Sequence, residues 1–457
     1  MRFTELALFT VTLLGAVRPL TGLRRSTALA AAAAAATSVA AVVHALGEGP
    51  RWQLVPLYLA AVATAALATL DARGPREPLG RRTPIVVALV LTGAGAALGW
   101  ALPVAQLPEP GGPHEVGTTQ LVVVDEDRRE HYGPRPGGHR RLAVQLWYPA
   151  SPDDGAARAP WTTQPGAFAR HTAERFDVPA FTLSHLRLVR SHAVADAPVV
   201  PGRARPLVVY SHGWSSFRGA QSGLMESLAS RGFVVAAVDH THASLASVFP
   251  DGTVLGHDPR TLPDQAGTEE YEAASRRLVE TFAGDLEAVV GHLRAVRPLG
   301  GAVDTGNLGL IGHSTGGGAA ILACGRLRSC NAVVGFDPWV EPLRDEAVGG
   351  GLEQPLLSVR SEEWVATDND ARLRRLHAAS GPHSGRVAFE GTLHRDFTLA
   401  PFVSPLAARP LDDAMPPREL HGLVEEWTVG FLRHHLAGAR LDPLDEPFEH
   451  PRMTVER

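Results

Sequence analysis

The chain opens with long apolar runs and then changes to short ones. Ser26 to Leu46, Gln53 to Leu70 and Pro84 to Leu102 are each almost free of charge. A helix needs about 20 mainly apolar residues to cross the hydrocarbon core of a bilayer, so these three predict membrane spans. Phe3 to Val17 is a fourth and weaker candidate, because it is shorter and carries Glu5. The run Ala28 to Ala36 is helix-forming but mildly hydrophobic, which suits packing through small side chains. Pro103 to Gly117 is rich in Pro and Gly and reads as an extended linker. Beyond it the apolar runs are only three to six residues long. They recur at Leu121–Val124, Leu142–Trp147, Leu207–Tyr210, Phe233–Val238, Leu308–Ile311, Ala332–Phe336, Leu356–Val359 and Val387–Phe389. Helical patterns such as Ser222–Arg231 and Ala274–Val296 lie between the later ones. Nearly continuous apolar strands that alternate with helices predict a mostly parallel sheet covered on both faces. The first two runs, separated by a Gly/Pro turn, predict an antiparallel hairpin. The expected organisation is a transmembrane helical region of three or four helices over 1–107, a linker over 108–117, an α/β domain over 118–440 and a tail over 441–457.

Arginine placement orients the spans. Arg73, Arg76, Arg81 and Arg82 fall between the second and third long runs, and Arg18, Arg24 and Arg25 precede the first, whereas Gly47 to Arg51 carries only Arg51. Cytoplasmic connections are the ones enriched in basic residues. The segment 71–82 is therefore expected inside, and the last helix is expected to exit outside with the α/β domain behind it. A cleaved signal peptide over 1–36 is the rival reading, and the two further spans argue against it. A buried helical domain of a soluble protein is the other.

Chemistry enters at Gly312-His-Ser314-Thr-Gly316. A strand-like run precedes this G-x-S-x-G and the small-residue run Gly316 to Ala323 follows it as a helix. That context is the nucleophile elbow of α/β-hydrolases, a bend so crowded that its flanking positions require glycine. The strand at Val208 to Tyr210 runs into His212-Gly213-Trp214, the place for backbone donors facing a carbonyl oxygen. The expected donors are the N–H groups of Trp214 and Thr315, with His212 and Gly213 beside them. The base should follow the last strand, where His394 stands in Gly391-Thr-Leu-His394-Arg-Asp-Phe. For the acid, position leaves two options: Asp337 in Phe336-Asp-Pro-Trp339, or Glu362 and Glu363 one strand later.

The stretches Tyr210-Ser-His-Gly-Trp-Ser-Ser-Phe-Arg218, Val238-Asp-His-Thr-His-Ala-Ser244, Gly312-His-Ser-Thr-Gly-Gly317, Gly335-Phe-Asp-Pro-Trp339, Arg360-Ser-Glu-Glu-Trp364 and Gly391-Thr-Leu-His-Arg-Asp-Phe397 together resemble the plasma-type (group VII, isoform II) platelet-activating factor acetylhydrolase family. The resemblance covers about residues 118–437. It implies an α/β-hydrolase fold, a triad of Ser314, Asp337 and His394, and hydrolysis of short acyl esters, including those of phospholipids, without a metal or other cofactor. Two positions depart from the family: Thr315 stands where Phe is usual and Trp214 where a smaller aliphatic residue is common. The membrane region is not part of the typical family domain. The alternatives are a polyester hydrolase or general lipase-like esterase of the same fold, and a membrane-tethered binding or sensory module that does no chemistry.

Composition adds limits. A net charge of −5, with no lysine among 43 basic residues, gives no basic aromatic patch for nucleic acid. The expected partners are a small ester or phospholipid and, through the helices, the bilayer. His240 and His242 suggest either a zinc cluster with His185 or Asp239, or, as expected here, a loop that lines the substrate pocket together with Trp339. Cys324 and Cys330, the two cysteines, are spaced for a short disulfide in an oxidising compartment. The insertion Ala243 to Glu272 reads equally as a lid or as a surface excursion.

Overall fold

The computed structural model describes residues 2–21, 26–72, 82–134, 136–407 and 413–457. The chain divides into two compact units. One comprises Met1–Ala105, Pro179–Val189 and Val403–Ala407; the other comprises Gln106–Val178, Arg190–Phe402 and Ala408–Arg457.

The first unit is built on four helices, α1 (Phe3–Val17), α2 (Thr27–Gly47), α3 (Val55–Ala72) and α4 (Arg82–Ala101). With the 3₁₀ turns that extend α1 and α3, all four are long and apolar enough to cross a membrane. Their polarity is inverted relative to a water-soluble bundle. Thr12, Thr37 and Thr64 are buried, whereas Leu14, Val62 and Val90 are each about two-thirds exposed, at 66%, 69% and 64%. Small residues bring the backbones together, as expected where helices pack in lipid. A Cβ at Gly15 would lie 2.6 Å from Thr64 Cγ2, and one at Gly95 would lie 2.7 Å from Leu57 Cβ. Glu5, which weakened α1 as a span in the sequence, sits in that helix's first turn and meets Arg51 Nε at 2.8 Å. Arg51 also donates to Gly99 O on α4. At the opposite end of α1, Arg18 pairs with Asp71 on α3 at 2.5 Å. The charges of this helix are thus paired at its two ends, and the span between them is apolar. The arginine-bearing stretches 22–25 and 73–81, on which the orientation rests, lie outside the described residues.

The second unit is an eleven-stranded mixed sheet in the order β13-β12-β11-β10-β9-β5-β6-β2-β1-β4-β3. The strands are β1 (Glu115–Arg129), β2 (His139–Ala150), β3 (Arg158–Pro160), β4 (Arg190–Ala195), β5 (Arg205–Ser211), β6 (Val234–Asp239), β9 (Val303–His313), β10 (Cys330–Phe336), β11 (Leu356–Ser361), β12 (Gly385–Phe389) and β13 (Met453–Glu456). From β12 across to β6 the pairing is parallel, and β1 and β2 form the antiparallel hairpin. All eight apolar runs read from the sequence fall on strands of this sheet, with Phe233 just before the start of β6. Alternate residues of the central strands enter separate cores. Leu207, Val209, Leu308 and Leu310 pack with α7 (Glu269–Val296) and α8 (Thr315–Arg326). Val208, Tyr210, Ile311 and Val334 pack on the other face with α6 (Ser222–Ser230) and α12 (Pro417–Ala437). Shorter helices α5 (Pro165–Arg175), α9 (Asp345–Gly350), α10 (Asp368–Ala379) and α11 (Ala400–Val403) complete the order.

Three segments differ from their sequence reading. The Pro/Gly stretch is held against α6, with the N–H groups of Gly112 and His114 donating to Ser230. The expected tail carries β13, which pairs antiparallel with β12. The insertion after β6 forms a two-stranded ribbon, β7 (Ala246–Val248) with β8 (Val254–Gly256), and buries Val248 and Phe249, so it is no plain surface excursion. Helix α7 begins five residues before the predicted start, capped by Thr268. Its first turn carries Glu269, Glu270 and Glu272, charge that favours a helix N-terminus without any apolar periodicity.

Candidate active site

β9 ends at His313, α8 begins at Thr315, and Ser314 between them adopts φ 55°, ψ −123°. That conformation is costly for a residue with a side chain, and the surroundings enforce it. A Cβ at Gly312 would lie 2.1 Å from Gly316 O, and one at Gly316 would lie 2.2 Å from Ser211 O. Ser314 N–H donates to Phe336 O at 2.9 Å, and Ser314 O accepts from the N–H of Trp339 at 2.9 Å. The bend is therefore stitched to the end of β10, the strand that delivers Asp337.

Asp337 is buried and also has a positive φ, 41°. Its Oδ1 accepts the N–H of Ser361 at 2.8 Å; its Oδ2 accepts the Ser361 hydroxyl at 2.6 Å and His394 Nδ1–H at 3.0 Å. A carboxylate only accepts, so Nδ1 carries the proton and His394 Nε2 is left with its lone pair. Glu362 and Glu363, the competing acids, each accept from the backbone of the His394 loop. Glu362 accepts from Gly391 N–H at 2.6 Å and Glu363 from His394 N–H at 2.7 Å. They brace the loop that carries the imidazole, while Asp337 meets its ring.

The His394 ring is held on two sides. The Trp364 indole stacks on it at 4.2 Å between centroids with a 6° interplanar angle, and the His313 ring lies at 4.5 Å. His313 donates through Nε2 to His394 O at 3.0 Å. Burial, and then the neighbouring His394, hold the His313 pKa well below the usual imidazole range. Trp364, His313 and Ser361 were not singled out from sequence. Only Trp364 carried a signal, an aromatic just past a buried strand within Arg360-Ser-Glu-Glu-Trp364.

The loop after β5 approaches the same bend. A Cβ on Gly213 would lie 3.0 Å from Ser314 Cβ and 3.1 Å from His313 Nδ1. Thr315 is the first residue of α8, where helical geometry supplies its N–H with no intrahelical acceptor. The Trp214 indole donates to Thr261 Oγ1 at 2.9 Å, tying this loop to the end of the insertion. Trp339 is mostly buried and its Nε1–H donates to Glu341.

Behind the loop lies a second serine–histidine–aspartate row. His240, fully buried, meets Ser211 Oγ through Nε2 at 2.8 Å and Asp285 Oδ2 through Nδ1 at 2.9 Å. Phe282 stacks on its ring at 3.5 Å. His240 N–H donates to His212 Nε2 at 3.2 Å, and His212 Nδ1–H donates to Gly213 O at 2.7 Å. Burial opposes charge on Asp285, but Arg140 and then His240 outweigh it and hold its pKa far below the carboxylate range. His242, also buried, turns its Nδ1 to Gly256 O. Asp239 pairs with Arg218, and His185 meets Gln53. Thus His240 and His242, read as pocket-lining, are committed to the packing beneath the loop. The four possible zinc donors named from sequence each have a separate partner. Cys324 and Cys330 are joined by a disulfide that links the end of α8 to the start of β10.

The profile of the family described as platelet-activating factor acetylhydrolase, isoform II, matches residues 101–254 and 268–441, most of the chain. The chain belongs to this family. Among relatives named platelet-activating factor acetylhydrolase, that of Gallus gallus is 23% identical over 387 residues, covering 75% of this chain and 85% of its own length. That of Cavia porcellus is 26% identical over 321 residues, 64% of this chain and 70% of its own. A ferulic acid esterase from Streptomyces cinnamoneus aligns in structure with TM-score 0.64 and 26% identity, over 78% of this chain and 100% of that one. Membership of the acetylhydrolase family and the likeness to an esterase identify the second unit as an α/β-hydrolase and support ester hydrolysis. The family match pauses at 255–267, from within β8 to the start of α7.

Proposed function

We propose that the protein is a membrane-bound serine carboxylesterase that removes short acyl groups from lipid esters. The observation that carries this is the hydrogen bond from His394 to Asp337 beside a serine locked at φ 55°. In this reading Ser314 Oγ attacks the ester carbonyl carbon while His394 Nε2 takes its proton. Asp337 holds the imidazole tautomer and stabilises the imidazolium. The N–H groups of Trp214 and Thr315 receive the oxyanion, where fixed donors in a water-poor site act strongly. His394 then protonates the departing alcohol, and water, activated by the same imidazole, releases the acyl group from Ser314. Two aspects rest on the relatives and the helices. The acyl group is short and the substrate a phospholipid-like ester, in keeping with the relatives' name. The helices anchor the protein as a multi-pass protein of the cell membrane, and the arginine distribution puts the hydrolase outside the cytoplasm.

A second reading, hydrolysis of aryl-acid esters, is favoured by the likeness to the ferulic acid esterase, which extends over that chain's full length. One assay separates the two. The detergent-solubilised full chain is given p-nitrophenyl esters of increasing acyl length, an sn-2 acetyl phospholipid and an aryl-acid ester, with Ser314→Ala as the control. Serine-dependent turnover that falls steeply with acyl length and includes the phospholipid is expected. Preference for the aryl or long-chain esters would replace the acetylhydrolase reading by an aryl-esterase, or by a lipase or polyester hydrolase.

A further inference from the structure

The geometry points to a second site with no part in ester hydrolysis: a structural divalent-metal site of the zinc class, formed by His434, His435 and Asp442 at the C-terminal end of α12. One donor atom from each of the three lies within 4.8 Å of the others. The local fold brings them together. Gly438 caps α12 at φ 68°, a left-handed conformation that turns the following loop back onto the last helical turn.

Two of the three, His434 and Asp442, are already oriented by a further contact. His434 Nδ1 meets Ala439 O at 2.8 Å. A carbonyl only accepts, so Nδ1 carries the proton and Nε2 keeps its lone pair. Asp442 is buried; its Oδ1 accepts Leu444 N–H at 3.0 Å, and its Oδ2 faces His435 Nε2 at 3.6 Å. His435 Nε2 is the independent observation. The side chain is only 9% exposed, and this buried nitrogen has no hydrogen-bond partner. An orphaned polar atom of this kind is costly, and here it faces a carboxylate oxygen with no hydrogen bond between them. A separation of 3.6 Å is too long for a hydrogen bond. It is close to the about 3.4 Å between two ligand atoms on one tetrahedral zinc with bonds near 2.1 Å. His383, exposed in the loop before β12, places Nδ1 3.9 Å from the same Asp442 oxygen and offers a fourth ligand. Two or three imidazoles with one carboxylate suit zinc, and the hydrogen bonds behind His434 and Asp442 are the kind that orient such ligands.

The place in the fold indicates a structural role. Asn307, on the same end of the sheet, bonds to Leu436 O at 2.7 Å. Seven residue steps along the strand separate it from Ser314, about 23 Å at about 3.3 Å per residue. A metal here would fasten α12 to the loop carrying Leu444, which packs against Gly385 at the start of β12.

The test uses the tag-free, chelator-stripped full chain in detergent, titrated with ZnCl₂ by calorimetry and with Co²⁺ by visible absorption. One equivalent of Zn²⁺ should bind, the melting temperature should rise with Zn²⁺ concentration, and Co²⁺ should give the absorption of a tetrahedral site. His435→Gln and Asp442→Asn should each weaken binding at least about tenfold. His171→Gln, at a partly exposed position of α5, should bind as wild type, and esterase turnover should stay at the wild-type level in all three. Because Asp442 also anchors Leu444, His435→Gln is the decisive variant, and its metal-free melting profile reports that it is folded. No stoichiometric Zn²⁺ binding by the wild-type chain would overturn the proposal. Binding undiminished in folded His435→Gln would overturn it as well, by locating the metal elsewhere.

Discussion

Asp337 shows how much one bend decides. With φ at 41°, it turns its carboxylate from β10 towards His394, and the Ser361 N–H and hydroxyl fix both oxygens. Asp337→Asn should keep the fold but present an amide that misorients the imidazole, lowering kcat by about 10⁴-fold. Glu363→Gln, which touches only backbone, should cost far less. Steady-state kinetics on one ester decide this, and the reverse order would move the acid to Glu363. Trp364→Ala removes the plane that stacks on His394, so kcat should fall more than KM rises; a pure KM effect would make the indole a substrate contact. In the sequence Ser314 and His394 were legible because each is marked locally, by glycines in the bend and by a loop after the last parallel strand. The choice between Asp337 and the two glutamates was not legible from position, since both follow neighbouring strands and differ only in what the backbone does next. Stacking by Trp364 is a tertiary contact, and no sequence spacing encodes it.

At the scale of elements, the β9–Ser314–α8 unit is supported from behind. The row Asp285–His240–Ser211 holds the last residue of β5, and His240 N–H holds the ring of His212, so the loop bearing Gly213 and Trp214 is set by buried polar groups. His240→Asn should therefore loosen this loop, proposed to hold the oxyanion, and reduce kcat while KM stays nearly constant. An unchanged kcat would show that the row serves stability alone. The disulfide at the far end of α8 closes a loop of six residues. Replacing both cysteines by serine should lower the unfolding free energy by about 2 kcal/mol on the chain-entropy account, as read by urea titration. Strands were the most legible elements, because residues buried on both faces leave continuous apolar runs. The start of α7 and the course of the insertion were less so. The former opens on a polar, acidic turn, and the latter buries Val248 and Phe249 in a ribbon too short to leave a periodic pattern.

On the scale of the whole molecule, several histidines are enclosed in their neutral form. Burial lowers the pKa of His212, His240 and His313, and that of His377 to about 3. Their folded values lie below the unfolded one, so the stability they contribute is present above about pH 6.5 and is lost as pH falls towards the folded values; each costs up to about 1.4 kcal/mol per pH unit. Chemical denaturation of the full chain at about pH 7 and about pH 5 should show a marked loss at the lower pH, and equal stability would contradict the neutral assignment. The four apolar helices were legible as a group from length and composition. The placement of Glu5 was not, since its partner Arg51 comes from another connection. Orientation has its own test: alkaline phosphatase fused after Leu107 should be active in cells, and an inactive fusion with an active one after Gly80 would invert the topology. The central claim is serine-dependent ester hydrolysis by this one site. The most direct measurement is turnover of a short-chain p-nitrophenyl ester and an sn-2 acetyl phospholipid by the full chain beside folded Ser314→Ala. The account predicts hydrolysis of both, abolished by the substitution. Turnover that survives Ser314→Ala, or a folded wild-type chain inert on every ester, would contradict it.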